Sequence, residues 1–167
     1  MSRHDELWQL YSDNGQPLEG QGLASESPHN ADASFGLAIV WLWRLVDGTA
    51  EVALQKRAMT KKRWPGMYST SAGGHINVGE TPVLAALRET REEISIQLEE
   101  GKLHFIGAFR VAHEPQNIRF VFDYQVQGGV DFRFDDGEVD AMKWLSLDEL
   151  EAQLADPDSD MVMARYG

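Results

Sequence analysis

The run from Phe35 to Leu45 most strongly constrains the fold, because nearly every residue in it is apolar. A strand with one solvated face alternates apolar and polar residues, whereas this run is interrupted by a charge only at Arg44. A membrane-spanning helix would need roughly 20 consecutive apolar residues, which this run does not reach. We therefore predict a long strand with both faces covered, around which the rest of the chain forms layers.

The remaining pattern predicts short strands, tight turns and few helices. Ser12 to Gly15 is a turn signal within a hairpin over residues 5–22, and a loop rich in Gly, Ser and Pro is predicted from Gly20 to Ala33. Helices are predicted from Thr81-Pro82 to about Ile94 and from Leu147 to Leu154. Further strands are predicted at Leu7–Tyr11, Glu51–Arg57, Tyr68–Ala72, Leu103–Ala112, Ile118–Val126 and Val139–Leu145. These elements indicate an α+β fold with a mixed sheet, or an αβα sandwich.

Length and charge exclude several classes of protein. The 167 residues fit a single domain, residues 1–167, and their net charge of −12 opposes binding to duplex nucleic acid. The absence of cysteine excludes disulfides, thiolate metal sites and a cysteine nucleophile. No apolar signal region follows the first residues, so we expect a cytoplasmic protein without a membrane partner. The basic stretch Lys56 to Arg63 is either a solvated loop or a local anion site.

The segment from Thr81 to Ile94 predicts a helix with carboxylates on one face. At about 100° per residue, Glu89, Glu92 and Glu93 fall within an arc of about 100°. The opposite side carries apolar residues and a threonine: Val83, Leu87, Thr90 and Ile94. Carboxylates this close repel one another, and arginine, protonation or a cation can relieve the repulsion. The charge pattern alone leaves two interpretations open, a solvated Glu/Arg face or a set of oxygen ligands for a divalent metal.

The spacing of glycine, glutamate and arginine around this helix is more specific than its charge pattern. Gly74 is followed after five residues by Glu80, and after seven more by Arg88-Glu89 and then by Glu92-Glu93. This arrangement resembles the Nudix box, which would here occupy residues 74–96, and all of its glycine and charged positions through Glu93 match.

The resemblance has two departures, and it extends beyond the box. Thr90 stands where the box has an apolar residue, and Ser95 stands where it has the glycine that ends the helix. Residues 7–15 and 56–75 are similar to the Nudix subgroup related to isopentenyl diphosphate isomerases. Residues 137–150 resemble the usual Nudix end of the sheet and the helix after it. The likeness covers residues 5–155.

The resemblance implies the Nudix αβα sandwich, with the box as a loop–helix–loop, and a hydrolase that cleaves a diphosphate linkage in a small-molecule substrate. It implies Mg²⁺ or Mn²⁺ bound by oxygen atoms of Glu89, Glu92, Glu93 and Gly73. Arg88 and Glu80 would brace these glutamates. The metal would offset charge on the diphosphate and help to activate water, and a carboxylate would take the proton of that water.

The resemblance also assigns roles outside the acidic face. Phosphate would be bound by the basic stretch and the first box glycine, namely Lys56, Arg57, Lys62 and Gly74. The base that activates water would be Glu92 or Glu93, or an acid of a later loop: Glu114, Asp136 or Glu138. His75 matches a metal-binding histidine of the isomerases, and His29 stands near another. Dimers are frequent in the family, so a homodimer is one expectation.

Two other functions compete with hydrolysis. An isomerase of the resembling subgroup would use a cysteine in the strand before the box, and this chain has none. A Nudix-like protein could also bind a nucleotide or a protein without turning over substrate, but it would be expected to lack a box glutamate, and none is missing. The substrate stays open among ADP-ribose, nucleoside triphosphates, dinucleotides and isoprenoid diphosphates.

Overall fold

A computed structural model describes residues 7–23, 32–111 and 114–166. These residues form nine strands, two α-helices and short 3₁₀ turns at Glu100–Lys102 and Met163–Tyr166. The strands are β1 Leu7–Ser12, β2 Pro17–Leu23, β3 Ala33–Val46, β4 Thr49–Arg57, β5 Tyr68–Ser69, β6 Ala72–His75, β7 His104–Val111, β8 Glu114–Gln125 and β9 Val139–Ser146. The helices are α1 Pro82–Ile94 and α2 Leu147–Ala155. No helix in this part of the chain is long and apolar enough to cross a membrane.

The long strand β3 organises the sheet. Along one edge it pairs in turn with β1, β6 and β4, all antiparallel, and along the other it pairs in parallel with β8. β4 then pairs with β9 and β5, and β8 pairs with β7. Where β3 and β4 separate, the buried hydroxyl of Ser71 accepts from Leu42 N and donates to Ala53 O. The mixed sheet confirms the predicted α+β class.

Apolar clusters lie on both faces of this sheet. Ala53 and Leu54 are adjacent in β4 and therefore point to opposite faces. Ala53 belongs to the main core with Ala85, Ala86 and Ile94 of α1. Leu54 belongs to a second cluster with the fully buried Met161, against which Leu150 of α2 packs. The two helices thus cover opposite faces, as an αβα sandwich requires.

The structure corrects the predicted loops at two places. The predicted loop starts later than Gly20, because β2 continues to Leu23. The strand fits there because Gly22 has no side chain and leaves room for the Phe35 ring. Gly73 and Gly74 were predicted to follow a strand, but they lie within β6, where a Cβ on Gly73 would be 2.7 Å from Ala38 O. His29, residues 5–6 of the predicted hairpin, Ala112, and positions 24–31 of the predicted loop lie outside the described residues.

Helix α1 has the predicted bounds because both of its ends are capped. Thr81 Oγ1 accepts from Leu84 N at the start, with Pro82 as the first helical residue. At the other end Ser95 adopts φ 57°, and the amides of Ser95 and Ile96 donate to Arg91 O and Thr90 O. The unusual serine therefore closes the helix in the left-handed conformation that glycine normally supplies.

The substitution Ser95→Gly is expected to raise the free energy of unfolding by about 0.5–1 kcal/mol, because glycine adopts a positive φ without steric cost. The gain is partly offset by loss of the weak Ser95–Asp135 hydrogen bond at 3.3 Å. Urea denaturation measures the effect, with Ser95→Ala as the control that should not stabilise. Equal or lower stability of the glycine variant would show that Ser95 is unstrained.

Candidate active site

Glu93 is anchored between helix α1 and two strands. Its carboxylate accepts hydrogen bonds from Gly73 N in β6 at 2.9 Å and from Gln55 Nε2 in β4 at 3.1 Å. Only 5% of its surface is exposed. Burial, and then the charge of Glu89, raise the pKa of Glu93 to about 7, although both hydrogen bonds favour the ionised form. A buried carboxylate is therefore held where its negative charge is only partly compensated.

The raised pKa of Glu93 predicts how the metal-free protein responds to pH. The contribution of Glu93 to stability is fully present below its unfolded pKa of 4.5 and is lost as pH rises through the folded value of about 7. Glu93→Gln removes this titration. The free energy of unfolding of the variant relative to wild type should therefore increase by roughly 2–3 kcal/mol between pH 5 and pH 8. Urea denaturation in the presence of a chelator measures it, and a difference independent of pH would contradict the buried charge.

Arg88 connects the carboxylates of the site. Its guanidinium forms two bonds with Glu80, both at 2.9 Å, and donates to Glu89 at 2.6 Å and to Glu92 at 3.2 Å. It also donates to the backbone oxygen of His75 at 3.0 Å. Burial opposes the charge of Arg88, but the bonds and ion pairs with Glu80 and Glu89 outweigh it and raise its pKa. Arg88 thus stays charged and fixes several acceptors at once.

Glu89 lies directly against the backbone of β6. A Cβ on Gly74 would be 2.3 Å from Glu89 Oε1, so the absence of a side chain at Gly74 leaves room for the carboxylate where Arg88 binds it. Burial raises the pKa of Glu89, and the charge of Arg88 opposes that rise. Glu92, by contrast, keeps 47% of its side chain exposed.

A cavity of about 1140 Å³ contains these carboxylates. Glu89, Glu92 and Glu93 line it together with Gly73 and Gly74. Basic side chains from β4, the loop after it, α1 and β8 also line it: Arg57, Lys61, Arg63, Arg88 and Arg119. Acidic and basic groups therefore face one space, an arrangement suited to a ligand that carries phosphate and a cation.

A family model described as the NUDIX domain matches residues 37–166. The chain belongs to the Nudix family. The match contains all of helix α1, strand β6 with its paired glycines, and the cavity residues that follow them. Strands β1 and β2 precede the match.

The chain covers only part of the length of the two relatives that it resembles in sequence. Nudix hydrolase 3 of Arabidopsis thaliana is 37% identical over 70 residues, which are 42% of this chain and 9% of that protein. The isopentenyl-diphosphate Delta-isomerase of Escherichia coli O127:H6 is 28% identical over 106 residues, 63% of this chain and 57% of that protein. The crystal structure of DR0079 from Deinococcus radiodurans has a TM-score of 0.70 at 20% identity and covers 90% of this chain and 89% of that one. This last likeness shows a shared fold.

The box carboxylates have the chemistry of a divalent-metal site, and the Nudix family generally uses divalent metal ions. Their donors are all oxygen, and the raised pKa values of Glu89 and Glu93 mark negative charge that a cation would relieve. Among the described residues, no group of three or more histidine and acidic side chains is already arranged around a common point. Arg88 binds Glu89 and Glu92, whereas Gly73 and Gln55 bind Glu93. A bound cation would therefore share Glu89 and Glu92 with Arg88.

The structure separates the predicted phosphate-binding residues. Arg57 and Gly74 line the cavity, but Lys56 and Lys62 do not. Lys56 follows Gln55 in β4 and points to the opposite face, where its Nζ lies 5.9 Å from the Tyr68 ring centroid. Sequence reasoning could have found this from strand alternation. It included Lys61 and Arg63 only as members of the basic stretch, and it did not assign Arg119, which lines the cavity from the distant strand β8.

The three acids predicted in later loops line the cavity, although Glu114 is the first residue of β8, and two of the three form ion pairs with basic residues of the cavity. Glu114 binds Arg63 and Arg119, each at 2.5 Å. Glu138 binds Lys61 at 2.5 Å. Asp136 accepts from Glu138 N at 2.9 Å. Glu114 and Glu138, two of the five base candidates, are therefore paired with cations of the same cavity.

His75 lines the cavity, and its imidazole is largely buried. Burial lowers its pKa to about 4, so the imidazole is neutral near pH 7. The ring stacks on Trp8, with the centroids 3.3 Å apart and the planes within 1° of parallel. A neutral imidazole is the form that binds metal.

Proposed function

We propose that this Nudix protein is a metal-dependent hydrolase that cleaves the diphosphate linkage of a nucleoside diphosphate bonded to another group, or of a related small molecule. One observation carries the proposal. Glu89, Glu92 and Glu93 line the same cavity as the basic side chains from β4, the loop after it, α1 and β8. Carboxylates alone would repel a diphosphate, and cations alone would bind it without a means to activate water. Both together suit hydrolysis.

The box residues have distinct roles in this proposal. Glu89, Glu92, Glu93 and the Gly73 carbonyl would hold Mg²⁺ or Mn²⁺, which supplies charge neutralisation of the diphosphate and a lowered pKa for water. Arg88 holds Glu89 and Glu92 in position, with Glu80 occupying its other side. These groups prepare the site before substrate arrives.

The cavity cations would bind the phosphates. Arg57 and Lys61 line the cavity, from the end of β4 and the loop after it, and the Gly74 backbone lies at its edge without an obstructing side chain. Arginine binds two phosphate oxygens at once, and lysine contributes a compact charge. Glu92 is the best placed of the candidates to accept a proton from water, because it is half exposed and has a single long contact with Arg88.

Isomerisation is the alternative favoured by one observation, the similarity to an isopentenyl-diphosphate isomerase. The strand before the box argues against it. β6 reads Ala-Gly-Gly-His and contains no thiol, and the chain has no cysteine that could replace one. We therefore place isomerisation second.

A panel of diphosphates tests the proposed function. ADP-ribose, a nucleoside triphosphate, a dinucleoside polyphosphate and an isoprenoid diphosphate are incubated with the protein and Mg²⁺ or Mn²⁺, and products are separated by chromatography. We expect at least one compound to be hydrolysed, and a chelator to stop the reaction. Binding of nucleotides without any product would instead support a binding protein, and an isomerised isoprenoid diphosphate would support the alternative.

A further inference from the structure

The N-terminal hairpin of β1 and β2 packs against the loop that leads into the acidic helix. Gln9 N donates to Ile76 O at 2.8 Å, and Val78 N donates to Leu7 O at 3.1 Å. Trp8 lies between these two hydrogen bonds and is paired with Asn77. The hairpin precedes the residues that the family model matches. Its strand β1 nevertheless pairs with residues 76–78, which lie in the first half of the box.

Trp8 makes the closest aromatic contact of this interface. Its ring covers the His75 ring in a parallel stack at 3.3 Å, and the Phe35 ring meets the indole edge-on at 5.1 Å. Phe35 also lies edge-on to His75, at 6.2 Å. His75 is therefore held by a face and an edge, and its ring has little freedom to rotate.

His75 connects this stack to the acidic helix through its backbone. Its carbonyl accepts the Arg88 Nη2 hydrogen at 3.0 Å, and the same guanidinium holds Glu80, Glu89 and Glu92. Asn77 N donates to Glu80 at 3.1 Å, so the segment contacted by β1 also fixes the partner of Arg88. A continuous set of contacts thus runs from Trp8 to the box carboxylates.

We propose that Trp8 is a positioning residue for the candidate active site: by stacking on His75 it holds the carbonyl to which Arg88 is bound, and so orients Glu89 and Glu92. The N-terminal hairpin is then part of the functional unit. This inference rests on the proposed function, since it assigns Trp8 a purpose in the same metal and diphosphate site.

Packing in the core alone does not explain why residue 8 is a tryptophan. Trp8 Nε1 is buried and has no hydrogen-bond partner among the described residues, which is an energetic cost that phenylalanine would avoid. Trp8 also lines the cavity rather than the main core. The indole offers a wider ring face than phenylalanine, and the parallel stack on His75 uses that face.

Three variants separate positioning from packing. Trp8→Ala removes the stack, and Trp8→Phe restores an aromatic face. Trp144→Ala is the matched control, because Trp144 is also partly buried and contacts Phe132 and Arg44 outside the cavity. Each is measured for Mn²⁺ affinity by electron paramagnetic resonance and for hydrogen exchange of residues 75–80 by mass spectrometry.

We expect Trp8→Ala to weaken Mn²⁺ affinity about tenfold, as removal of a supporting contact around metal ligands typically does. Exchange at residues 75–80 should accelerate in the same variant. Trp8→Phe should stay within about threefold of wild type, and Trp144→Ala should match wild-type affinity whatever stability it loses. Wild-type affinity in Trp8→Ala, or an equal loss in Trp144→Ala, would overturn the proposal.

The exchange measurement also distinguishes failure of this inference from failure of the proposed function. A wild-type protein that binds no Mn²⁺ and hydrolyses no diphosphate would remove the proposed function. In that case faster exchange at residues 75–80 in Trp8→Ala than in Trp144→Ala would still support the positioning role. Equal exchange in the two variants would overturn it.

Discussion

Glu93→Gln is expected to lower kcat/KM for the diphosphate substrate by about a thousandfold, because metal binding contributes several kcal/mol to such reactions and each 1.36 kcal/mol is tenfold in rate. The amide keeps the size of the side chain, and its oxygen can still accept from Gly73 N. The fold should therefore survive while a ligand charge is lost.

The same variant should be more stable than wild type at pH 8 in the absence of metal, since burial disfavours the ionised Glu93. High stability combined with low activity would identify Glu93 as a charge kept for function rather than for folding. Glu99→Gln is the control, because Glu99 is exposed and contacts Lys102 outside the cavity. Activity of Glu93→Gln within a few-fold of wild type would contradict its proposed role.

Arg88→Ala is expected to reduce the free energy of unfolding by about 3–5 kcal/mol, the usual effect of removing one partner from buried ion pairs. Its loss leaves Glu80 and Glu89 with 15% and 14% of their side chains exposed and no guanidinium beside them. Denaturation in urea at pH 7 measures the change. Arg91→Ala, an exposed neighbour on the same helix, should change stability by no more than about 0.5 kcal/mol.

The stabilisation of the Arg88 variants by added Mn²⁺ is a second measurement of the same prediction. Because Arg88 positions Glu89 and Glu92 for the metal, Mn²⁺ should stabilise Arg88→Ala less than it stabilises wild type. Arg88→Lys should fall between the two, since an ammonium cannot make the paired bonds to Glu80. A small loss of stability in Arg88→Ala, with Mn²⁺ stabilising it as much as wild type, would mean that Arg88 does not position the acidic face.

Local signals explain why helix α1 was predictable. Thr81, Pro82 and the residues around Ser95 define its ends, and helical periodicity brings Glu89, Glu92 and Glu93 to one side. The burial of Glu93 was not predictable from periodicity, because Gln55 and Gly73, from two other strands, close over it. Thr90 likewise fits the core only because its hydroxyl donates to Ala86 O within the helix.

Long-range contacts explain what the sequence did not predict. Arg119 reaches the cavity because β8 lies beside β3, a pairing between distant segments with no local signal. Trp8 meets His75 for the same reason, through the pairing of β1 with the loop before α1. Spacing could identify the box, but only the sheet shows which cations and aromatic rings surround it.

Hydrolysis in ¹⁸O-labelled water tests the central claim most directly. Substrate is incubated with Mg²⁺ and either the wild-type protein or Glu93→Gln, and the phosphoryl products are analysed by mass spectrometry. We predict that one product formed by the wild-type protein carries a single ¹⁸O bonded to phosphorus, and that the variant forms almost none. Product without the label, or equal labelling by Glu93→Gln, would contradict hydrolysis by the glutamates of the Nudix helix.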